Sequence, residues 1–126
     1  KSLAGGGGRL ASASDGPVEL PDAFPGIAAA LTREDASGQP FGGWQPQERI
    51  DRAAALSAYT IGAAHAGFAE GRFGRLAPGL RADFVLIDVH PLLATPAEIR
   101  LTRVLETWIG GERVSGAEPR RDGPDR

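Results

Sequence analysis

The stretch GRLAPGLRADFVLID, residues 74–88, decides how the rest of the chain is read. From Arg81 to Val89 it is a β-branched and aromatic run of strand length, bounded by Pro78-Gly79 on one side and His90-Pro91 on the other. Proline and glycine at both borders supply the turn chemistry that ends strands, so a strand is expected over 81–89. Asp83 stands just before its apolar part, a position suited to hydrogen bonding turn amides rather than to catalysis.

Downstream, VLETWIGGERVSG (104–116) reads as strand, Gly110-Gly111, strand, the signal of a two-residue hairpin. Between the two segments, ATPAEIRLTRV (94–104) can hold one helical turn begun at Thr95, with Pro96 in the first helical position. The end of the chain, GAEPRRDGPDR (116–126), is charged and proline-bearing and is expected to be disordered or a linker.

Upstream the period changes. Asp51, preceded by Ile50, has the chemistry of an N-cap, and Ala55, Leu56, Tyr59, Thr60, Ala63 and Ala64 recur at three- and four-residue steps. One helix of about four turns, ending near Gly67, is expected. Before it lies a polar Gly/Pro-rich loop, EDASGQPFGGWQPQ (34–47), of a length that is usually functional or covers something. IAAAL (27–31) predicts a short helix, and the three prolines of GPVELPDAFPG predict extended backbone between residues 17 and 25. RLASAS (9–14), after four glycines, predicts a short strand.

Composition narrows the function. With 126 residues, 41% of them hydrophobic, the chain has enough material for one ordinary core, and a closed α/β barrel needs roughly 250 residues. Fourteen Lys and Arg against sixteen Asp and Glu leave a net charge of −2 with no long block of either sign. That balance gives no electrostatic reason to expect nucleic acid or an anionic membrane as partner. No run approaches the roughly 18 apolar residues of a membrane span, and the N-terminal order of a signal peptide is absent, so a cytoplasmic protein is expected. Without cysteine there are no disulfides or thiolate metal sites. The chain begins with Lys1 and has no methionine, as expected of a piece of a longer polypeptide.

Few residues offer chemistry. Asp15, between small residues and Gly16-Pro17, has two readings: a turn former whose side chain bonds its own backbone, or a carboxylate just past a strand end, where parallel α/β enzymes place catalytic groups. Ser14 has no histidine near it to make a nucleophile. His65 reads as a partly buried helix residue and His90 as a loop residue, and neither belongs to an HxH or HExxH pair that would begin a metal site. The glycine run lacks the GxxxxGK[ST] form needed to cradle phosphate. Trp44 and Trp108 read as packing residues, with Trp44 placed to line a pocket from the long loop.

The order of these features resembles the C-terminal part of the amidohydrolase superfamily. The resemblance is carried by Ser14-Asp15 with Pro17-Val18, Gly26-Ile27 leading through Ala29 and Ala30 to Thr32-Arg33, and Ala55-Leu56 with Ala58-Tyr59-Thr60 and Ala63-Ala64. It continues through Gly74, Leu76, Pro78-Gly79, Ala82-Asp83, Asp88, Pro91-Leu92, Gly110-Gly111 and Val114. Its most specific segment is the stretch quoted first, and it looks most like the branch containing N-substituted formamide deformylases. Departures occur at Ala13, where the family often has glycine, and at Ile61-Gly62, where it often has an asparagine.

The resemblance implies an α/β fragment. Residues 1–72 would supply the last strand and helices of a (β/α)8 metal-dependent hydrolase barrel, and residues 73–115 the C-terminal strands of a small β-sandwich, with 116–126 as the tail. It makes Asp15 a metal ligand and proton-handling catalytic residue. Arg33, which follows the last loop of the implied barrel, and Trp44, in the long loop, are candidates for substrate binding by position. Arg33 would meet a substrate carboxylate or else pair with Glu34 or Asp35 on the surface. The expected cofactor is a divalent metal, zinc, in the full-length protein, with none bound by this chain alone, because the family's histidine ligands lie upstream. The expected partners are the missing N-terminal part of the same protein, a small-molecule amide substrate, and further copies in a homo-oligomer. The competing expectation is a self-contained α+β interaction module that binds a partner through an exposed sheet edge.

Overall fold

A computed structural model of the protein describes residues 1–116. The tail expected beyond Gly116 lies outside the described residues, and Gly116 itself closes the last strand. The α/β character expected from the sequence is present, as helices set beside a three-stranded antiparallel sheet. The sheet runs β1 (Phe84–Ile87), β2 (Val104–Ile109), β3 (Glu112–Gly116), in that spatial order.

The hairpin forms where the glycine pair predicts it. Gly110 and Gly111 have φ of 62° and 84°, the paired left-handed conformation whose twist matches two right-twisted strands. Ile109 stands opposite Glu112, and the register slips between Thr107 and Trp108, which brings Trp108 opposite Arg113. β1 is shorter than the apolar run suggests. Residues 81–83 hold the hairpin turn instead of extending the ladder: Ala82 accepts from the Gly111 N–H at 2.9 Å, and Asp83 Oδ1 accepts from the Gly110 N–H at 2.9 Å. The role expected of Asp83 is thus the one it has. Just above, Phe84 faces Trp108 across the ladder, and their rings stack with centroids 5.5 Å apart. Beyond β1, Asp88 receives the Arg103 backbone N–H and Nε, both at 2.8 Å.

Five α-helical segments accompany the sheet: α1 (Ser2–Gly5), α2 (Ala23–Thr32), α3 (Arg52–Tyr59), α4 (Ile61–Ala66) and α5 (Pro96–Arg100). A 3-10 turn, Pro46–Glu48, precedes α3. α5 begins as its sequence predicts, with a full capping box: Thr95 Oγ1 accepts from the Glu98 N–H, and Glu98 Oε2 accepts from the Thr95 N–H at 2.7 Å. α2 is twice the expected length. Asp22 caps it by accepting from the Phe24 N–H at 3.0 Å, and Pro25 lies in the first turn, where a missing N–H costs no hydrogen bond. The extended stretch predicted through Pro25 therefore ends at Asp22.

The single long helix expected from Asp51 to Gly67 is two helices. The Asp51 cap is as predicted, its carboxylate accepting from the Ala54 N–H at 2.8 Å, but the helix breaks at Thr60, with φ −119° and ψ −95°. The cause is tertiary. The Leu10 carbonyl presses so closely on Gly62 that any Cβ there would collide with it, and Gly74 packs against Thr60, Ile61 and Ala64 from another direction. The strand expected at 9–14 does not form either. That segment has no ladder partner among the described residues; it rests on the helices through Leu10 and through the Ser12 N–H, which donates to the Ala58 carbonyl at 3.0 Å.

The core is small. Phe24, Ile27 and Ala28 of α2, Ala55 of α3 and Ile99 of α5 form one buried cluster, with Ile99 only 1% exposed. α2 packs against both α3 and α5, so the helical turn between β1 and β2 joins the same core as the upstream helices. Arg52 reinforces the junction by donating to the carbonyls of Pro91 and Ala94. By contrast the sheet leaves Val85, Leu86, Val104, Leu105, Ile109 and Val114 substantially exposed.

Candidate functional site

Asp15 lies in an exposed turn spanning residues 15–18. The turn is closed by backbone groups: Val18 N–H donates to the Asp15 carbonyl at 2.9 Å, and Glu19 N–H donates to the Ser14 carbonyl at 3.2 Å. Asp15 itself has φ of 52°, a left-handed conformation that non-glycine residues seldom adopt. A turn-forming aspartate normally spends its side chain on a nearby backbone N–H. Here the turn is complete without it, and no hydrogen bond or ion pair engages the Asp15 carboxylate among the described residues.

Arg33 and Trp44, separated by the long loop, are brought together. Arg33 caps the C-terminus of α2 in the left-handed conformation, φ 63°, with its N–H on the Ala29 carbonyl at 2.7 Å. Its carbonyl accepts from the Trp44 N–H at 2.8 Å, its Nε donates to the Trp44 carbonyl at 3.1 Å, and its guanidinium carbon lies 5.0 Å from the centroid of the indole ring. The alternative of pairing with its acidic neighbours is not taken. Glu34 accepts from the Gly42 N–H at 3.0 Å, and Asp35 Oδ1 accepts from Ser37 and Gln39. These bonds, the Ser37 hydroxyl foremost, hold the Asp35 carboxyl below its ordinary range.

The loop has a second tie, for which no sequence pattern is a signal. Arg49 donates from Nε to the Thr32 carbonyl at 3.0 Å and from Nη2 to the Gly42 carbonyl at 2.8 Å. The loop crosses α2 so closely that a side chain at Gly43 would strike the Thr32 carbonyl. Trp44, 59% exposed, and Phe41, 94% exposed, face outward from it. No hydrogen bond, ion pair or ring contact links Asp15 to Arg33 or Trp44 among the described residues.

The two histidines stay apart. His65, in the last turn of α4, has Nδ1 2.9 Å from Glu70 Oε1, an exposed pair, and His90 is an exposed loop residue. Two cavities, of about 780 and 710 Å³, open between the helices and the sheet face, sharing Tyr59, Thr60 and Val85 in their walls. Both are lined mainly by apolar side chains, and Asp15, Arg33 and Trp44 line neither. Among the described residues no three His, Cys, Asp or Glu side chains converge as a metal-binding group, and those residues do not by themselves fit a metal. No helix among them is long and apolar enough to cross a membrane.

Comparison with known proteins places this arrangement. Residues 1–115 match the amidohydrolase family. The chain is 34% identical over 114 residues to "Protein LONG AFTER FAR-RED 3" of Arabidopsis thaliana, covering 90% of this chain and 19% of that protein. It is 31% identical over 111 residues to "N-substituted formamide deformylase" of Arthrobacter pascens, covering 88% of this chain and 20% of that protein. Among solved structures, an amidohydrolase from Thermotoga maritima MSB8 superposes with a TM-score of 0.67 over 92% of this chain and 25% of its own, at 22% identity. The chain thus spans about a fifth of the length of these curated relatives. A match running from residue 1 to residue 115 takes in the whole fold up to the last residue of β3, and on it the chain belongs to the amidohydrolase family.

Proposed function

We propose that this chain is the C-terminal portion of a metal-dependent amidohydrolase that cleaves a non-peptide C–N bond of the amide or formamide type. Residues 1–72 would belong to the hydrolase barrel and residues 73–115 to the C-terminal half of a small β-sandwich. The observation that carries the reading is the state of Asp15: an exposed carboxylate on a backbone-closed turn, in an uncommon conformation, with no structural task among the described residues. Aspartate tolerates this backbone region better than most side chains, and residues held in such sparsely populated regions cluster at functional sites.

Asp15 would contribute one ligand to a divalent metal, zinc, in the full-length protein, the others coming from residues outside this chain. Such an ion supplies a Lewis acid for the scissile carbonyl. Asp15 would hold and return a proton beside it, while Arg33 and Trp44 would contact substrate from the long loop. The exposed apolar residues of the sheet favour the remainder of the same polypeptide as the partner that covers them.

The test compares the full-length protein, its Asp15→Asn variant and residues 1–126 alone. Metal content and hydrolysis of N-formyl and N-acyl amines are measured for each. The full-length protein should bind metal and turn over, the variant should lose on the order of 10² to 10⁴ in rate, and the isolated chain should do neither. Turnover by residues 1–126 alone, or an undiminished Asp15→Asn enzyme, would defeat the reading.

A further inference from the structure

We infer that Arg33, held against Trp44, is a carboxylate-recognition fork, and that the substrate carries an anionic carboxylate besides its scissile C–N bond. This rests on the hydrolase reading above and narrows its substrate class.

Three contacts immobilise the arginine before any ligand arrives: the cap bond from its N–H to Ala29, the Nε bond to the Trp44 carbonyl, and the guanidinium packed over the indole. Its Nη groups make no hydrogen bond or ion pair among the described residues. A structural arginine spends terminal nitrogens on carbonyls or carboxylates, as Arg49, just after this loop, does with Nη2 on the Gly42 carbonyl. Arg33 uses the one nitrogen that fixes its plane and leaves the fork over.

The neighbouring charges do not neutralise it. Glu34 and Asp35, the acids next to it in sequence, are turned to backbone and hydroxyl donors of the loop. Arg49 and Arg100 likewise bond main-chain carbonyls, Arg100 through Nη2 to the Glu34 carbonyl at 3.4 Å. A planar, pre-organised and uncompensated guanidinium fork fits a carboxylate with two parallel hydrogen bonds, and little side-chain entropy remains to be lost. The exposed indole of Trp44 beside it offers an apolar face to the adjoining carbon chain.

The experiment uses the full-length protein and matched ligand pairs: an N-formyl or N-acetyl amino acid, and the same molecule with its carboxylate converted to a carboxamide. Both kcat/KM and calorimetric binding are measured. The carboxylate member should be preferred on the order of tenfold or more, as a charge-assisted bond dictates. Arg33→Met should abolish the preference by bringing kcat/KM and affinity for the carboxylate member down to those for the carboxamide in the same variant, and Arg33→Lys should restore part of it. Equal treatment of the pair by the parent protein, binding of neither, or a preference surviving in Arg33→Met would overturn the inference. If no pair is hydrolysed, the hydrolase reading falls, and the binding difference still decides the role of Arg33.

Discussion

The carboxylate of Asp83 accepts a hydrogen bond from the backbone of Gly110, at 2.9 Å, across 27 residues of sequence. The same carboxylate receives Arg81 Nε and Nη2, and so the strand entry and the hairpin tip are held by one side chain. Asp83→Ala is expected to lower the thermal midpoint and to speed hydrogen exchange at the Gly110 amide, with α2 and α5 unaffected. Exchange mass spectrometry on the segment 104–116 checks this. Unchanged protection there would remove Asp83 from its structural role.

The acid response follows from the same contacts. Arg81 first, and then the Gly110 N–H, hold the Asp83 carboxyl below its ordinary range, as the Arg103 side chain and N–H do for Asp88 and the Thr95 backbone does for Glu98. Because the folded values are depressed, their stabilisation is present above the unfolded carboxylate range near about pH 4 and is lost as the pH falls through the folded values. The thermal midpoint should therefore decline below about pH 4, and the decline should be shallower in Asp88→Asn. A midpoint indifferent to pH in that window would contradict the assignment.

Ile99 is the best-buried large side chain of the core and comes from a helix of five residues. Truncation removes apolar contacts that such a short helix cannot replace. Ile99→Ala should cost about 2 to 5 kcal/mol in denaturant unfolding. A loss below about 1 kcal/mol would mean that α5 is not docked as described.

Gly62 admits no side chain beneath the Leu10 carbonyl. Gly62→Ala, which would favour an ordinary helix, should destabilise here by about 1 to 3 kcal/mol, because Leu10 or α4 must shift. A stabilised variant would show that the close approach is not maintained.

These positions also mark what the sequence can reveal. The hairpin and α5 were legible because their determinants are local: two adjacent glycines set the turn, and Thr95, Pro96 and Glu98 complete a cap within four residues. The break at Thr60 was not, since nothing between Asp51 and Gly67 announces the carbonyl of Leu10. The strand at 9–14 failed for the complementary reason, as a strand is defined by a neighbour and the local run names none. α2 was under-read because Pro25 signals extension unless Asp22 is recognised as a cap. At the candidate site, Asp15 is singled out by the order of motifs and Arg33 by its place after the short helix, whereas the clasp between Arg33 and Trp44 depends on how an eleven-residue separation folds back. The Amidohydrolase family match accounts for the first kind of signal and leaves the second to geometry.

The joint at Thr60 has a mechanical consequence. Among the described residues the arm bearing Asp15 is not gripped by a ladder; just ahead of Asp15 it is held by the Leu10 carbonyl seated on Gly62 and the Ser12 amide fastened to Ala58. Gly74, just ahead of the sheet, braces the opposite side of that joint. The joint therefore works as a seat for that arm: Leu10 can lie this close only because residue 62 carries no side chain, and a methyl there would displace the segment leading to Asp15 without touching Asp15 itself.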